Sequence, residues 1–292
     1  MKYLFALVPR HLLFRLLGLY AFLFKYRVAS AKKACLKFHK KLNYNMLCKL
    51  QSKYKSPPAY GYDLGNLIRR GRERAEKMIK LIPSMGKRII ELGCWDGMVS
   101  RELQLRGKDA YAIDNRDEGF EALAKENCTE IRLMDVHDLQ YEDNYFNFAF
   151  SYDTFEHFCQ PAQALSEIIR VVKSGGYIYL FFGPLYNSAY GLHGYRSITV
   201  PYCQHLFDRD VLDKYITIHE LKPIDYAQIN YKELNYFRIL HESCPDRVDS
   251  ILYNEIPYVL HTGIINKYPG CFCDIDFDEL TISHIEMLLR VK

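Results

Sequence analysis

The apolar positions of this chain change their spacing near residue 83. Between residues 62 and 81 they recur at helical intervals (Leu64, Leu67, Ile68, Ala75, Met78, Ile79), and the run stops at Pro83. Beyond it, apolar residues gather into short blocks. Residues 87–94, 109–114, 130–135, 146–151 and 177–182 read as buried strands. Between them, 98–106, 117–126 and 161–173 carry helical patterns; Gly107 closes the first and Ser174-Gly175-Gly176 the last. Strands alternating with helices predict an α/β fold with a mostly parallel sheet and helices on both faces. Past it, 208–221 reads as a helix, 222–231 as a strand, 232–260 as helical stretches and 280–290 as a closing strand.

The first 57 residues follow a different pattern. From Pro9 to Lys25 the chain reads as a helix whose basic residues Arg10, His11, Arg15 and Lys25 fall within one arc of about 140°. Leu, Phe and Tyr fill most of the remaining surface. Thirteen Lys or Arg precede the first acidic residue, Asp63, leaving 26 basic against 35 acidic residues in the rest of the chain. We read 1–57 as a basic amphipathic arm lying on an anionic membrane surface, helped by the Lys cluster 32–41. Residues 58–292 are then the body. Packing of the arm on the body or on a second subunit is an alternative. Val28-Ala29-Ser30-Ala31 resembles a signal-peptide cleavage site, but a signal peptide fits poorly, because Arg10 and Arg15 interrupt the apolar stretch and Lys25 and Arg27 sit just before that site.

Composition narrows the class. Of 292 residues, 49% are apolar and 25% charged, which supports a sizeable core and excludes global disorder. No run of eighteen uncharged apolar residues exists, so no standard membrane-spanning helix is expected. Nine Cys without a CxxC pair argue against a disulfide framework and a zinc ribbon, and fit a reducing cytoplasm. The expected location is cytoplasmic, on the membrane's inner face. No metal site is expected, because no close His/Cys/Asp/Glu spacing falls on one element.

In parallel α/β sheets the ligand lies beyond the carboxyl ends of the strands. Those ends carry Glu91-Leu92-Gly93-Cys94-Trp95-Asp96-Gly97, then Asp114, then Met134-Asp135-Val136, then Ser151-Tyr152-Asp153 with Glu156-His157. With Val172-Lys173-Ser174-Gly175-Gly176, these blocks resemble the class I S-adenosylmethionine-dependent methyltransferases of the small-molecule, methyltransferase-11-like type, over residues 87–184. The resemblance implies a Rossmann-like, seven-stranded sheet with an antiparallel last strand, and S-adenosylmethionine as cofactor. Gly93 and Gly97 let the backbone approach the cofactor's methionine half, and the helix that follows offers its N-terminus to a carboxylate. Asp114 stands where an acid accepts the ribose hydroxyls. The resemblance puts Asp135 at the adenine amino group with the Val136 backbone beside the ring. Glu91 orders the turn, and Ser151 completes the expected set. Trp95 departs from the pattern, because family members often have Gly there; the indole points away or forms a wall.

On the acceptor side, methyl transfer to a hydroxyl needs alignment and the removal of a proton. His157, after the fourth strand, and His193, in the Tyr-, Gly- and His-rich connection 184–207, are the candidate bases or acceptor partners. His205 lies in the same connection, behind His193 as a candidate, and His284 on the closing strand reads as structural. The arm and the polar, aromatic loop point to a small-molecule acceptor, a hydroxyl of a glycan or lipid-linked precursor at the membrane; a quinone or other lipid is the near alternative. A non-catalytic membrane-tethered scaffold of the same fold is the other class. A nucleic-acid partner is disfavoured by the acidic body. Oligomeric state is not legible.

Overall fold

The computed structural model describes residues 41–55 and 61–292. Its centre is a seven-stranded sheet in the order β3-β2-β1-β4-β5-β7-β6. The strands are β1 (Arg88–Leu92), β2 (Asp109–Asp114), β3 (Glu130–Leu133), β4 (Phe146–Tyr152), β5 (Val172–Phe182), β6 (Val248–Pro257) and β7 (Ile282–Val291). β1 to β5 pair in parallel, whereas β7 runs antiparallel to both β5 and β6. The strand order reverses between β1 and β4, which fixes where a ligand crevice opens.

The central strands read as continuous apolar runs because both of their faces are covered. On one face, α1 (Leu64–Leu81) and α2 (Met98–Gln104) bring Ala75, Met78, Val99 and Leu103 onto Ile89, Phe148 and Phe150. On the other, α3 (Pro161–Val171) and α4 (Leu234–Glu242) bring Leu165, Ile168 and Phe237 onto Ile90, Leu92 and Phe182. The Asp63 carboxylate caps α1 by accepting the Asn66 amide at 3.1 Å.

Two sequence expectations fail on the C-terminal side. Residues 222–231 form no strand; Pro223 lacks an N–H for a ladder, and a 3₁₀ turn, Tyr226–Gln228, forms under the Asp225 cap. The helical reading of 232–260 holds only for α4, and Val248–Pro257 is an edge strand. The closing antiparallel strand is as expected.

A second apolar layer covers the carboxyl-end side. Its residues include Leu47, Leu50, Leu192, Ile198, Val200 and Phe272. A short helix, Tyr44–Gln51, thus lies on the body with Leu47 and Leu50 buried. Its Gln51 side chain spans the 184–207 connection, donating to the Ser197 carbonyl at 3.0 Å and accepting the Thr199 amide at 2.9 Å. Residues 41–55 were included in the membrane-facing arm on sequence grounds and here belong to the body. Lys41, counted in the basic cluster, donates instead to the carbonyls of Gln204 and His205, at 3.2 and 2.7 Å. The rest of the arm reading, residues 9–25 and 32–40, lies outside the described residues. No helix among the described residues is long and apolar enough to cross a membrane.

Candidate active site

The glycine loop follows β1 directly. Gly93 and Gly97 have φ of +70° and +71°, the left-handed region that favours glycine. A Cβ on Gly93 would come within 2.1 Å of the Thr154 methyl, so the loop lies tight against the end of β4. The Thr154 hydroxyl donates to the Gly93 carbonyl at 2.9 Å. Both Gly93 and Cys94 amides donate to the Ile113 carbonyl at 2.9 Å, which ties the loop to β2. Trp95 takes φ of 49°, its indole lies against Gly119, and it is 47% exposed. It therefore forms a rim of the crevice and does not fill it.

The acids stand at the strand ends. One Asp114 oxygen accepts the Trp95 amide at 2.8 Å and the other the Arg116 amide at 3.2 Å. Burial raises its pKa, and the backbone donors oppose that shift. Asp135, at the end of β3, accepts the His137 amide at 2.9 Å and faces the His137 imidazole at 2.6 Å. The backbone bond lowers its pKa. Its neighbour Val136 is buried. Glu91 turns inward: one oxygen accepts the Ser100 amide at 3.0 Å and the Ser100 hydroxyl at 2.7 Å. Full burial pushes its pKa up to about 8. It ties β1 to α2. Ser151, next to last in β4, is fully buried, and its hydroxyl has no hydrogen-bond partner among the described residues.

Sequence reasoning missed two arginines. Arg70 and Arg74, one turn apart on α1, lean over the crevice. Arg70 pairs with Asp96 at 2.5 Å, and Arg74 pairs with Asp153 while its guanidinium lies 4.6 Å from the Tyr152 ring centre. Their i, i+4 spacing ahead of the glycine loop was the available signal.

His157 and His193 come together. Their ring centres are 4.7 Å apart, although 36 positions of sequence separate them. His157 follows β4 on the 3₁₀ turn Phe155–His157, and its Nδ1 lies 2.6 Å from the Gln228 carbonyl. His193 adopts φ of 55° in the 184–207 connection, with Nε2 at 3.0 Å from the Pro184 carbonyl. Burial lowers both pKa values, that of His193 to about 3, so both rings are neutral near pH 7. Glu156 lies beside them, 4% exposed; among the described residues its carboxyl has no side-chain hydrogen-bond partner, only the backbone N–H groups of Glu156 and Gly183 facing it, and burial raises its pKa. His205 is buried against the Asn187 carbonyl, and His284 stacks on Phe181 close enough to His193 to help lower its pKa.

These donors fit S-adenosylmethionine. A turn that only positive φ allows, an acid at the end of β2, an acid just past β3 and the Ser151 hydroxyl near the end of β4 all stand at the carboxyl ends of neighbouring parallel strands. Comparison with known proteins agrees. Residues 90–180 match the protein family described as Methyltransferase domain. The matched segment runs from β1 into β5 and so contains the glycine loop, Asp114 and Asp135. Over 99 residues the chain is 28% identical to the ubiquinone biosynthesis O-methyltransferase of Nitrosomonas europaea, covering 32% of this chain and 42% of that protein. An uncharacterized methyltransferase of Mycobacterium bovis is 27% identical over 97 residues, covering 33% and 40%. The chain thus matches about two fifths of the length of these curated relatives. The crystal structure of the PH0226 protein from Pyrococcus horikoshii OT3 superposes with a TM-score of 0.49 at 15% identity, over 81% of this chain and 96% of that one.

Proposed function

We propose that this protein transfers a methyl group from S-adenosylmethionine to a hydroxyl oxygen of a small molecule. The observation that carries the reading is the convergence of the Asp114-anchored glycine loop with the His157–His193 pair at one end of the sheet. The cofactor, when bound, supplies an electrophilic methyl group. Asp114 holds the ribose side, while Asp135 and Val136 hold the adenine side. The Gly93–Gly97 turn presents backbone to the methionine half, and Arg70 and Arg74 close the crevice from α1. Alignment of the acceptor oxygen, the methyl carbon and sulfur supplies much of the acceleration such a displacement needs. His193, neutral and buried, is too weak a base to take a hydroxyl proton unaided; it and His157 orient the acceptor oxygen.

The acceptor is membrane-borne on this reading, a lipid-linked glycan precursor or a quinone-type ring. Support comes from the basic, apolar pattern of residues 9–25 and from the relative named for ubiquinone biosynthesis. Tyr186, Tyr190 and Tyr195 on the 184–207 connection supply aromatic surface for such a molecule. The peripheral, cytoplasmic-face location has the same sequence basis.

Calorimetric titration of the full chain with S-adenosylhomocysteine, with Asp114→Ala alongside, tests the cofactor. Binding lost in the variant supports the reading. No binding by folded wild-type protein overturns it and favours a scaffold role. Methyl transfer from labelled cofactor to hydroxylated lipids and lipid-linked sugars then tests the acceptor.

A further inference from the structure

Glu156 presents an unusual condition. A carboxyl group buried at 4% exposure ordinarily finds side-chain donors or a counter-charge, because a buried polar group left unpaired is destabilising. Here, among the described residues, neither oxygen has a side-chain partner in hydrogen-bond geometry, and only the backbone N–H groups of Glu156 itself and Gly183 face the carboxyl. Next to it stand two imidazoles, and one ligand atom from each of Glu156, His157 and His193 lies within 4.8 Å of the others.

The imidazoles are prepared in a particular way. His157 turns Nδ1 to the Gln228 carbonyl and His193 turns Nε2 to the Pro184 carbonyl. A carbonyl can only accept, so those nitrogens carry the protons. The other nitrogen of each neutral ring is left with a lone pair, and that of His157, Nε2, lies 3.8 Å from Glu156 Oε1. Backbone carbonyls that fix the outer nitrogen are the usual support of metal-binding histidines.

We propose that Glu156, His157 and His193 bind one first-row divalent metal ion, with zinc as the reference case. Two imidazole nitrogens and one carboxylate are a three-ligand set of the kind that leaves a coordination position open. Bonds of about 2.0–2.2 Å require the donors to draw closer than in the metal-free arrangement, by side-chain rotation. The ion gives the buried Glu156 carboxylate a charged ligand partner in place of backbone N–H groups alone. The open position takes the oxygen of a hydroxylated acceptor and makes its proton easier to release to water. This role, though not the site itself, rests on the methyl-transfer reading above.

The test uses the full chain stripped with a chelator. Zinc is titrated calorimetrically against a competing chelator for wild type, Glu156→Gln and His157→Gln, each checked for fold by circular dichroism. One equivalent should bind to wild type. Each variant should lose more than the roughly 10–100-fold that changes behind the ligands cost. Cobalt in place of zinc should give ligand-field bands without thiolate charge transfer, since the nine cysteines offer a rival site. No wild-type binding, unchanged binding in folded variants, or a thiolate spectrum overturns the proposal. Titration of the stripped protein with S-adenosylhomocysteine separates the two ideas: zinc binding without cofactor binding keeps the site and removes its assigned role.

Discussion

The Trp95 amide donates to Asp114 at 2.8 Å, joining the middle of the glycine loop to the end of β2. The opposite carboxylate oxygen accepts the Arg116 amide, so Asp114 sets the shape of two loops at once. An asparagine there keeps the size but has only one accepting oxygen, and its NH2 would face a backbone N–H. Charge-assisted bonds of this kind are worth about 1.5–3 kcal/mol each. Asp114→Asn should therefore weaken S-adenosylhomocysteine binding by roughly 10–100-fold. Calorimetry checks this, and unchanged affinity would remove Asp114 from the binding site.

Trp95 offers a direct optical readout because it is the only tryptophan of the chain. Its ring is half-exposed at the rim, against Gly119. A ligand in the crevice must change the ring's contact with water. Intrinsic emission should shift on titration with S-adenosylhomocysteine, and saturate at the concentration that calorimetry gives. Trp95→Phe should lose the optical signal while retaining most of the heat of binding. Loss of both would make the indole a binding wall, and an optical change absent from wild type would place the ligand elsewhere.

Glu91 makes stability depend on pH in a defined direction. Its folded pKa is raised to about 8 from an ordinary 4.5 by burial. Between those values the folded protein keeps a proton that the unfolded chain releases. The contribution of this group is thus fully present below about pH 4.5 and is lost as pH rises through about 8. Glu91→Gln still accepts from Ser100 and has no proton to lose. Thermal melts across that range should show wild type losing stability with rising pH more steeply than the variant; parallel curves would show that Glu91 is charged in the folded protein.

How much of this was legible in the sequence depends on how local the signal is. β1, β2 and β4 are covered on both faces, so unbroken apolar runs such as Phe146-Asn147-Phe148-Ala149-Phe150 announced them, and the acids at their ends followed. β6 is an edge strand, largely exposed, with a register shift between Ser250 and Leu252 that breaks its alternation. No clean period of two remained to distinguish it from a helix. The Glu156–His157–His193 cluster was hidden for another reason. Glu156 and His157 are adjacent, but His193 reaches them through a connection with no periodicity, held by a left-handed backbone at the histidine itself. Spacing along one element cannot show such a site.

The docking of Tyr44–Gln51 links the N-terminal segment to the acceptor side. Gln51 bonds to both Ser197 and Thr199, and the Thr199 hydroxyl donates to the Tyr54 carbonyl at 2.6 Å. The same 184–207 connection carries His193. Whatever holds residues 41–55 therefore also holds the loop, whereas the glycine loop and Asp114 belong to the sheet. Two substitutions separate these units. Leu47→Ala removes a fully buried side chain and should cost about 2–5 kcal/mol. Gln51→Ala leaves the apolar contact and removes only the two bonds to the loop, which should expose 184–207 to limited proteolysis well before the sheet. In Gln51→Ala, S-adenosylhomocysteine affinity should stay within about threefold of wild type, while the apparent affinity for the acceptor falls. A loop as protease-resistant as in wild type would mean that the apolar layer alone holds it. Equal losses on both sides of the crevice would mean that the helix supports the whole domain rather than the loop.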